Sequence, residues 1–273
     1  MNNRRSKFLA APYALWAAGF ILIPLGMIFY YGFTARKGGF TLDNITAIAE
    51  PGNMKALILS LILSLISTII CFILAYPLAW ILANMKFGKG SFVIIIFILP
   101  MWMNFLLRTL AWQSLLEKNG VINTILSFFH LPALKIINTP YAIVLGMVYN
   151  FLPFMVLPIY NALEKIDDNI INAAKDLGAN RMQTFSRIIF PLSIPGVISG
   201  ITMVFVPALT TFVISDLLGG GKILLIGNII EKEFTQDGNW NSGSGLSFVL
   251  MIFIIISMIL TAKYDTSKEE SAP

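Results

Sequence analysis

The chain has 273 residues, of which 57% are hydrophobic and only 12% charged, with a formal net charge of +5. An ordinary soluble domain carries about 25% charged residues, so this composition excludes a soluble globular fold and equally excludes a disordered chain. The single cysteine, Cys71, excludes an intrachain disulfide and a cysteine-based metal site; inside an apolar run it reads as a small buried hydrophobe.

The apolar residues fall in long uncharged runs, each near the ~20 residues that a helix needs to cross a bilayer. They are continuous rather than alternating, which argues against a β-barrel. Six spans are predicted in chain order: Phe8 to Phe33, Ala56 to Ala83, Ser91 to Leu115, Tyr141 to Ala162, Ile188 to Ser215, and Leu246 to Ala262. The first follows Arg4, Arg5 and Lys7, as a signal peptide would. Its apolar stretch is too long for one and no small-x-small cleavage site follows, so it reads as an uncleaved helix. The expected organisation is a first helix and outer loop over 1–55, a transmembrane core over 56–262 with a cytoplasmic loop at 163–187, and a tail over 263–273.

An even number of spans puts both termini on one side. That side carries eleven basic residues (Arg4, Arg5, Lys7, Lys86, Lys89, Lys165, Lys175, Arg181, Arg187, Lys263 and Lys268). The other carries seven (Arg36, Lys37, Lys55, Lys118, Lys135, Lys222 and Lys232), and Arg108 lies within the third span. The positive-inside rule then places both termini in the cytoplasm. These basic residues form no patch among interleaved aromatics, so nucleic acid is not an expected partner.

The loop between the fourth and fifth spans is the most informative segment. Ile166, Ile170, Ala173, Ala174 and Leu177 recur at helical spacing. Asp167 or Asp168 suits the cap at the start, and Gly178 suits the left-handed position that ends a helix. A second helix restarts near Arg181 and runs into the fifth span. The expected product is a short amphipathic helix across the cytoplasmic face, whose apolar stripe needs a partner. Asp167, Asp168 and Asp176 disfavour an anionic lipid surface, leaving the chain's own helix ends or a cytosolic protein with a matching groove.

Asn172-Ala173-Ala174-x-x-Leu177-Gly178-Ala179, followed by Phe185, Ile188, Pro191, Pro195 and Gly196, resembles the EAA motif of ABC importer permeases. Asn172 departs from it, since the family usually has Glu there. The resemblance implies an all-α, polytopic fold of the type I importer (MetI-like) kind, and a coupling helix that sits in a cleft of a separate ATPase subunit. Asn172, Ala173, Ala174, Asp176, Leu177, Gly178 and Ala179 take that role. Further segments resemble the permeases of polyamine (spermidine/putrescine) importers, most closely the first of the two permease subunits. They are Leu99-Pro100-Met101-Trp102, Arg108-Thr109-x-Ala111-Trp112, Tyr149-Asn150-Phe151-Leu152-Pro153-Phe154, Leu163-Glu164-Lys165-Ile166-Asp167, Leu217-Leu218-Gly219-Gly220 and Ile226-Gly227-Asn228. The implied assembly is this chain, a related second permease, an ATPase dimer and an extracytoplasmic substrate-binding protein, in a bacterial plasma membrane.

No residue pattern here suggests covalent chemistry or a resident cofactor. Gly219-Gly220-Gly221-Lys222 lacks the earlier glycine and the following Ser or Thr of a phosphate loop, since position 216 is Asp and position 223 is Ile. His130 stands alone in an outer loop, with no nucleophile–base pair or metal cluster nearby in sequence. A polyamine carries about two to three positive charges at neutral pH. Its path therefore calls for partial negative charge and aromatic faces. Trp102, Asn104, Trp112, Tyr149, Asn150 and Phe154 are candidate wall residues, with Asp216 and Glu117 near outer ends. Arg108, the one formal charge well inside a span, is expected to snorkel outward or to pair with Asp216 or Glu117, as a gate or a structural tie. Pro191, Pro195 and Pro207 loosen the fifth span just beyond the loop. The alternative within the same class is the permease of an ABC importer for another small solute; a secondary transporter is the rival class, but the internal repeats and midplane carboxylates typical of one are missing.

Overall fold

The computed structural model describes residues 12–13, 15–85 and 89–266. Arg4, Arg5, Lys7, Lys86, Lys268, the start of the first span and the tail from residue 267 lie outside the described residues. Within them the structure is helical, with one isolated bridge between Thr34 and Phe40. Eleven helices carry the description: α1 (Ile23–Gly32), α2 (Pro51–Ala83), α3 (Lys89–Ile98), α4 (Phe105–Leu116), α5 (Val121–Phe128), α6 (Pro140–Glu164), α7 (Asp168–Asp176), α8 (Phe190–Thr210), α9 (Val213–Gly219), α10 (Ile226–Thr235) and α11 (Trp240–Thr266). Among the described residues five helical segments are long and apolar enough to cross a membrane, Leu15–Gly32, Pro51–Ala83, Pro140–Glu164, Arg181–Thr210 and Trp240–Thr261, and the bent pair Ile95–Trp102 and Phe105–Phe128 passes the same test as a sixth.

The third predicted span is corrected by the structure. It is not one rod over Ser91 to Leu115. α3 runs into a tight 3-10 turn at Leu99–Trp102, Met103 adopts an extended backbone, and Asn104 starts α4 in a new direction. The segments Ile95–Trp102 and Phe105–Phe128 meet at 94°. Pro100 supplies the local cause, because a proline restricts the residue before it and removes a backbone donor. The fifth span also ends earlier than Ser215, at Thr210, and α9 restarts at Val213.

The chain divides into two compact units. One contains residues 1–55 and 229–254. Here the amide of Asn241 donates to the Tyr31 and Thr34 carbonyls at 3.2 and 2.6 Å, and the amide of Asn44 donates to the Thr34 carbonyl at 3.0 Å. Phe29, Phe33 and Phe248 pack edge to face around the same turn. The other unit contains residues 56–228 and 255–273 and holds the main core, with α6 at its centre. Ile143, Met147, Met155 and Ile159 of α6 are fully buried, as are Val204 of α8 and Ile214 and Leu218 of α9. α8 lies unusually close against α6. A Cβ on Gly196 would come within 2.5 Å of the Pro158 carbonyl oxygen and 2.6 Å of the Ala162 Cβ, so the two backbones meet with no room for a side chain. Small residues at such contacts let helices associate where lipid offers no hydrophobic drive.

Candidate functional site: the loop between α6 and α8

The connection from α6 to α8 is built from local capping chemistry. α6 ends at Glu164, and Asp167 turns extended and its Oδ1 accepts from the Asn169 backbone N–H at 2.9 Å, which starts α7. Of the two aspartates that suited the cap, the structure uses Asp167. The end of α7 is a full Schellman motif. Gly178 has φ +81, its N–H donates to the Lys175 carbonyl at 2.9 Å, and the Ala179 N–H donates to the Ala174 carbonyl at 3.0 Å. Only a glycine takes this backbone conformation without steric cost. Asn180 then opens the next turn, Arg181–Thr184, with a reciprocal capping box to Gln183 at 2.8 and 2.9 Å. The chain passes through one π-helical turn, Phe185–Ile189, and continues as α8.

The faces of α7 are sharply divided. Ala174 is buried against the bundle, whereas Asn172, Ala173, Asp176 and Leu177 are exposed. Leu177 is 89% exposed and Met182 72%. These are large apolar side chains with nothing over them in this chain, on a loop whose backbone is otherwise fully capped. Beside α7 lies an open groove of about 1010 Å³, lined by Trp80, Ile81 and Asn84 from α2, Ile171 and Lys175 from α7, and Ala179, Asn180, Arg181, Thr184 and Ile189 beyond it.

An aromatic clasp ties the root of this loop to α2. The Trp80 ring stacks on Phe185 at 4.9 Å, Tyr76 meets Phe185 edge-on at 5.8 Å, and the Tyr76 hydroxyl lies 2.9 Å from the Ser193 Oγ. Sequence reasoning found Phe185 through the motif but missed Trp80 and Tyr76. The available signal was the recurrence of Phe72, Tyr76 and Trp80 every four residues, one aromatic stripe along α2.

The other expected site residues fall in separate places. Trp112 and Tyr149 pack edge to face at 5.2 Å where α4 crosses α6. Asn150 of α6 is 1% exposed; its side-chain amide donates to the Gly146 carbonyl at 2.9 Å and its Oδ1 has no partner. Arg108, on α4 between Phe105 and Trp112, is 8% exposed and its Nε also has no partner. Asn104 caps α4, accepting from the Leu106 and Leu107 amides at 2.8 and 3.3 Å, while Trp102 stands 82% exposed at the bend. Phe154 is on the exposed side of α6. Glu117 closes α4, and its carbonyl takes the Asn123 amide at 3.0 Å. Asp216 is held by the Asn228 amide at 2.7 Å; that amide also reaches the Phe212 carbonyl, and the Asn228 Oδ1 accepts from the Leu225 N–H at 3.0 Å and from Ser215. Gly219-Gly220-Gly221-Lys222 is the turn that leaves α9, with Gly220 left-handed. Among the described residues no cluster of three His, Cys, Asp or Glu is placed to hold a metal.

The described helices, the capped loop and the broken third crossing can be set against known proteins. The family described as the binding-protein-dependent transport system inner membrane component matches residues 44–265. The chain belongs to this family. It is therefore a transport permease rather than an enzyme, and a multi-pass component of a bacterial inner membrane. The spermidine/putrescine transport system permease protein PotB of Haemophilus influenzae is 36% identical over 276 residues, covering 98% of this chain and 96% of that one. PotB of Escherichia coli is 38% identical over 253 residues, covering 90% and 92%. The inner membrane ABC transporter permease protein YdcU of Escherichia coli is 33% identical over 230 residues, covering 79% and 73%. Two solved structures share the fold. A bacterial ABC transporter for import of the acidic polysaccharide alginate has a TM-score of 0.77 at 18% identity, covering 95% of this permease and 96% of that chain. The bacterial alginate transporter in complex with an alginate pentasaccharide-bound periplasmic protein has a TM-score of 0.80 at 16% identity, covering 97% and 96%.

Proposed function

We propose that this permease is the transmembrane subunit of an ATP-driven importer of polyamines, spermidine or putrescine, and that α7 is where a separate ATPase pushes. The observation that carries the coupling assignment is the loop itself. Its backbone is closed by caps at both ends, yet Leu177 and Met182 are bare. A rigid, capped helix with an uncovered apolar edge fits a protein cleft better than it fits water. The polyamine assignment is supported by the two PotB relatives, whose identity extends along most of the chain. Both termini lie in the cytoplasm in this reading, on the side of α7. A second, related permease completes the membrane portion, and an extracytoplasmic binding protein delivers the solute.

In this mechanism the ATPase dimer closes on ATP and moves α7. The motion passes through the π turn at Phe185–Ile189, and the Trp80 and Tyr76 clasp carries it to α2 as well as to α8. The solute path then opens alternately to the two sides. The test is uptake of radiolabelled spermidine by membrane vesicles holding the assembled complex, with vanadate and a panel of competing solutes. Vanadate-sensitive uptake, competed by polyamines, is expected. Uptake indifferent to vanadate removes the ATP-driven reading, and competition by an unrelated solute class alone removes the polyamine.

A further inference from the structure

The break in the third crossing lies at a depth where lipid cannot cover it. The Phe105 ring of α4 sits 6.5 Å from Phe151 of α6, and Trp112, seven residues on, sits 5.2 Å from Tyr149. Seven residues advance about 10 Å along α4, whereas the two partners on α6 are separated by only about 3 Å along its axis. α4 therefore crosses α6 steeply. Tyr149 and Phe151 stand nine and eleven residues into a helix that starts at Pro140. That is roughly 13–17 Å from its end, about half of the ~30 Å hydrocarbon layer. Non-helical backbone at such a depth occurs where it is buried in protein or lines water, not where it faces lipid. Yet this chain leaves the break open, with Trp102 82% and Met103 59% exposed.

The chemistry around the break selects its ligand. The carbonyl end of the α3 half-helix and its 3-10 extension stops at Trp102, and a helix C-terminus carries partial negative charge. The opposing positive end of α4 is blunted, because the Asn104 Oδ1 takes both the Leu106 and Leu107 amides. Arg108, the only charged side chain of α4, is turned to the buried side. The open side thus presents carbonyl dipoles and one large π face with no fixed positive charge. We propose that the break from Leu99 to Asn104 is a wall of the aqueous solute path, and that Trp102 at its apex receives an aliphatic ammonium group of the solute as it passes. The ligand class rests on the polyamine reading above; the aqueous exposure does not.

Trp102→Cys in the assembled complex, in membrane vesicles, is exposed to a membrane-impermeant cationic methanethiosulfonate with and without spermidine. Met103→Cys serves as a second position should Trp102→Cys fail to assemble. Leu65→Cys, exposed along the α2 span, serves as the lipid-facing control, and the native Cys71 is buried. Modification of the break positions is expected to run at least tenfold faster than at Leu65→Cys and to slow at least tenfold in saturating spermidine. Trp102→Ala should raise KM, and Trp102→Phe, which keeps a smaller π face, should raise it less. Break positions as unreactive as Leu65→Cys, or reactive but protected by no solute, overturn the proposal. Protection by a non-polyamine solute alone keeps the water-lined wall and overturns the ammonium ligand together with the polyamine reading.

Discussion

Gly178 is the most exacting place to perturb the loop. Its φ of +81 is needed for both bonds that end α7, from Gly178 N–H to Lys175 and from Ala179 N–H to Ala174. A Cβ there would meet nothing within 4 Å, so substitution by Ala acts through backbone conformation alone. Holding alanine in the left-handed region costs about 1–2 kcal/mol. Abandoning the conformation instead loses two hydrogen bonds of about 1 kcal/mol each. Either route weakens the native end of α7 by about 2 kcal/mol, on the order of a thirtyfold shift in its local population. The cost falls on a loop outside the packed crossings, so membrane abundance should be unchanged. Coupling should suffer, because the docking-competent form becomes a minority whenever its margin is of this size. Asparagine tolerates the left-handed region better and should cost less. The assay is spermidine uptake per unit of membrane-inserted complex, for native, Gly178→Asn and Gly178→Ala, in that expected order of rate. Equal rates for native and Gly178→Ala, or a lower rate for Gly178→Asn than for Gly178→Ala, would refute the reasoning.

Other substitutions test other joints. Gly196→Ala drives a Cβ into the Pro158 carbonyl and the Ala162 side chain, an overpacking of about 1–3 kcal/mol that should lower the thermal unfolding midpoint in detergent. Trp80→Ala removes the stack on Phe185, worth about 0.5–1.5 kcal/mol beyond area, and should leave ATP hydrolysis intact while lowering the solute moved per ATP. Arg108→Met replaces a buried guanidinium whose Nε is unpartnered, so the unfolding midpoint should hold or rise; a marked fall would mean that the charge is compensated in the assembly. Asn228→Ala strips the amide from Asp216 and the Phe212 carbonyl and should destabilise the turn between α9 and α10 by about 1–3 kcal/mol.

What the sequence revealed and what it hid follow the range of the interactions. The long crossings were legible because hydropathy over some 20 residues is a property of the segment itself. The caps of α7 were legible because Asp167 and Gly178 act on neighbours within a few residues. The bend at Leu99–Asn104 was hidden, since apolar residues lie on both sides of it and a hydropathy profile carries no direction. Pro100 and the capping residue Asn104 were its only local marks. The clasp of Trp80 on Phe185 joins residues far apart in sequence, and only the packing of α2 against the π turn before α8 brings them together; the hold of Asn228 on Asp216 spans 12 residues and the turn from α9 to α10. Asn150 illustrates the limit from the other side. It was a candidate wall residue by its type alone, whereas its burial and its bond to the Gly146 carbonyl appear only in the folded chain.

Coupling through α7 is tested most directly by site-directed cross-linking. Asn172→Cys and Leu177→Cys, each in the assembled complex, place a thiol on the exposed side of α7, and a short photoactivatable linker attached there reports its neighbour. The account predicts an adduct with the ATPase subunit at both positions, and loss of uptake when residues 170–177 are deleted from the otherwise native chain. Adducts with lipid or with this permease's own helices alone, while uptake proceeds, would contradict it.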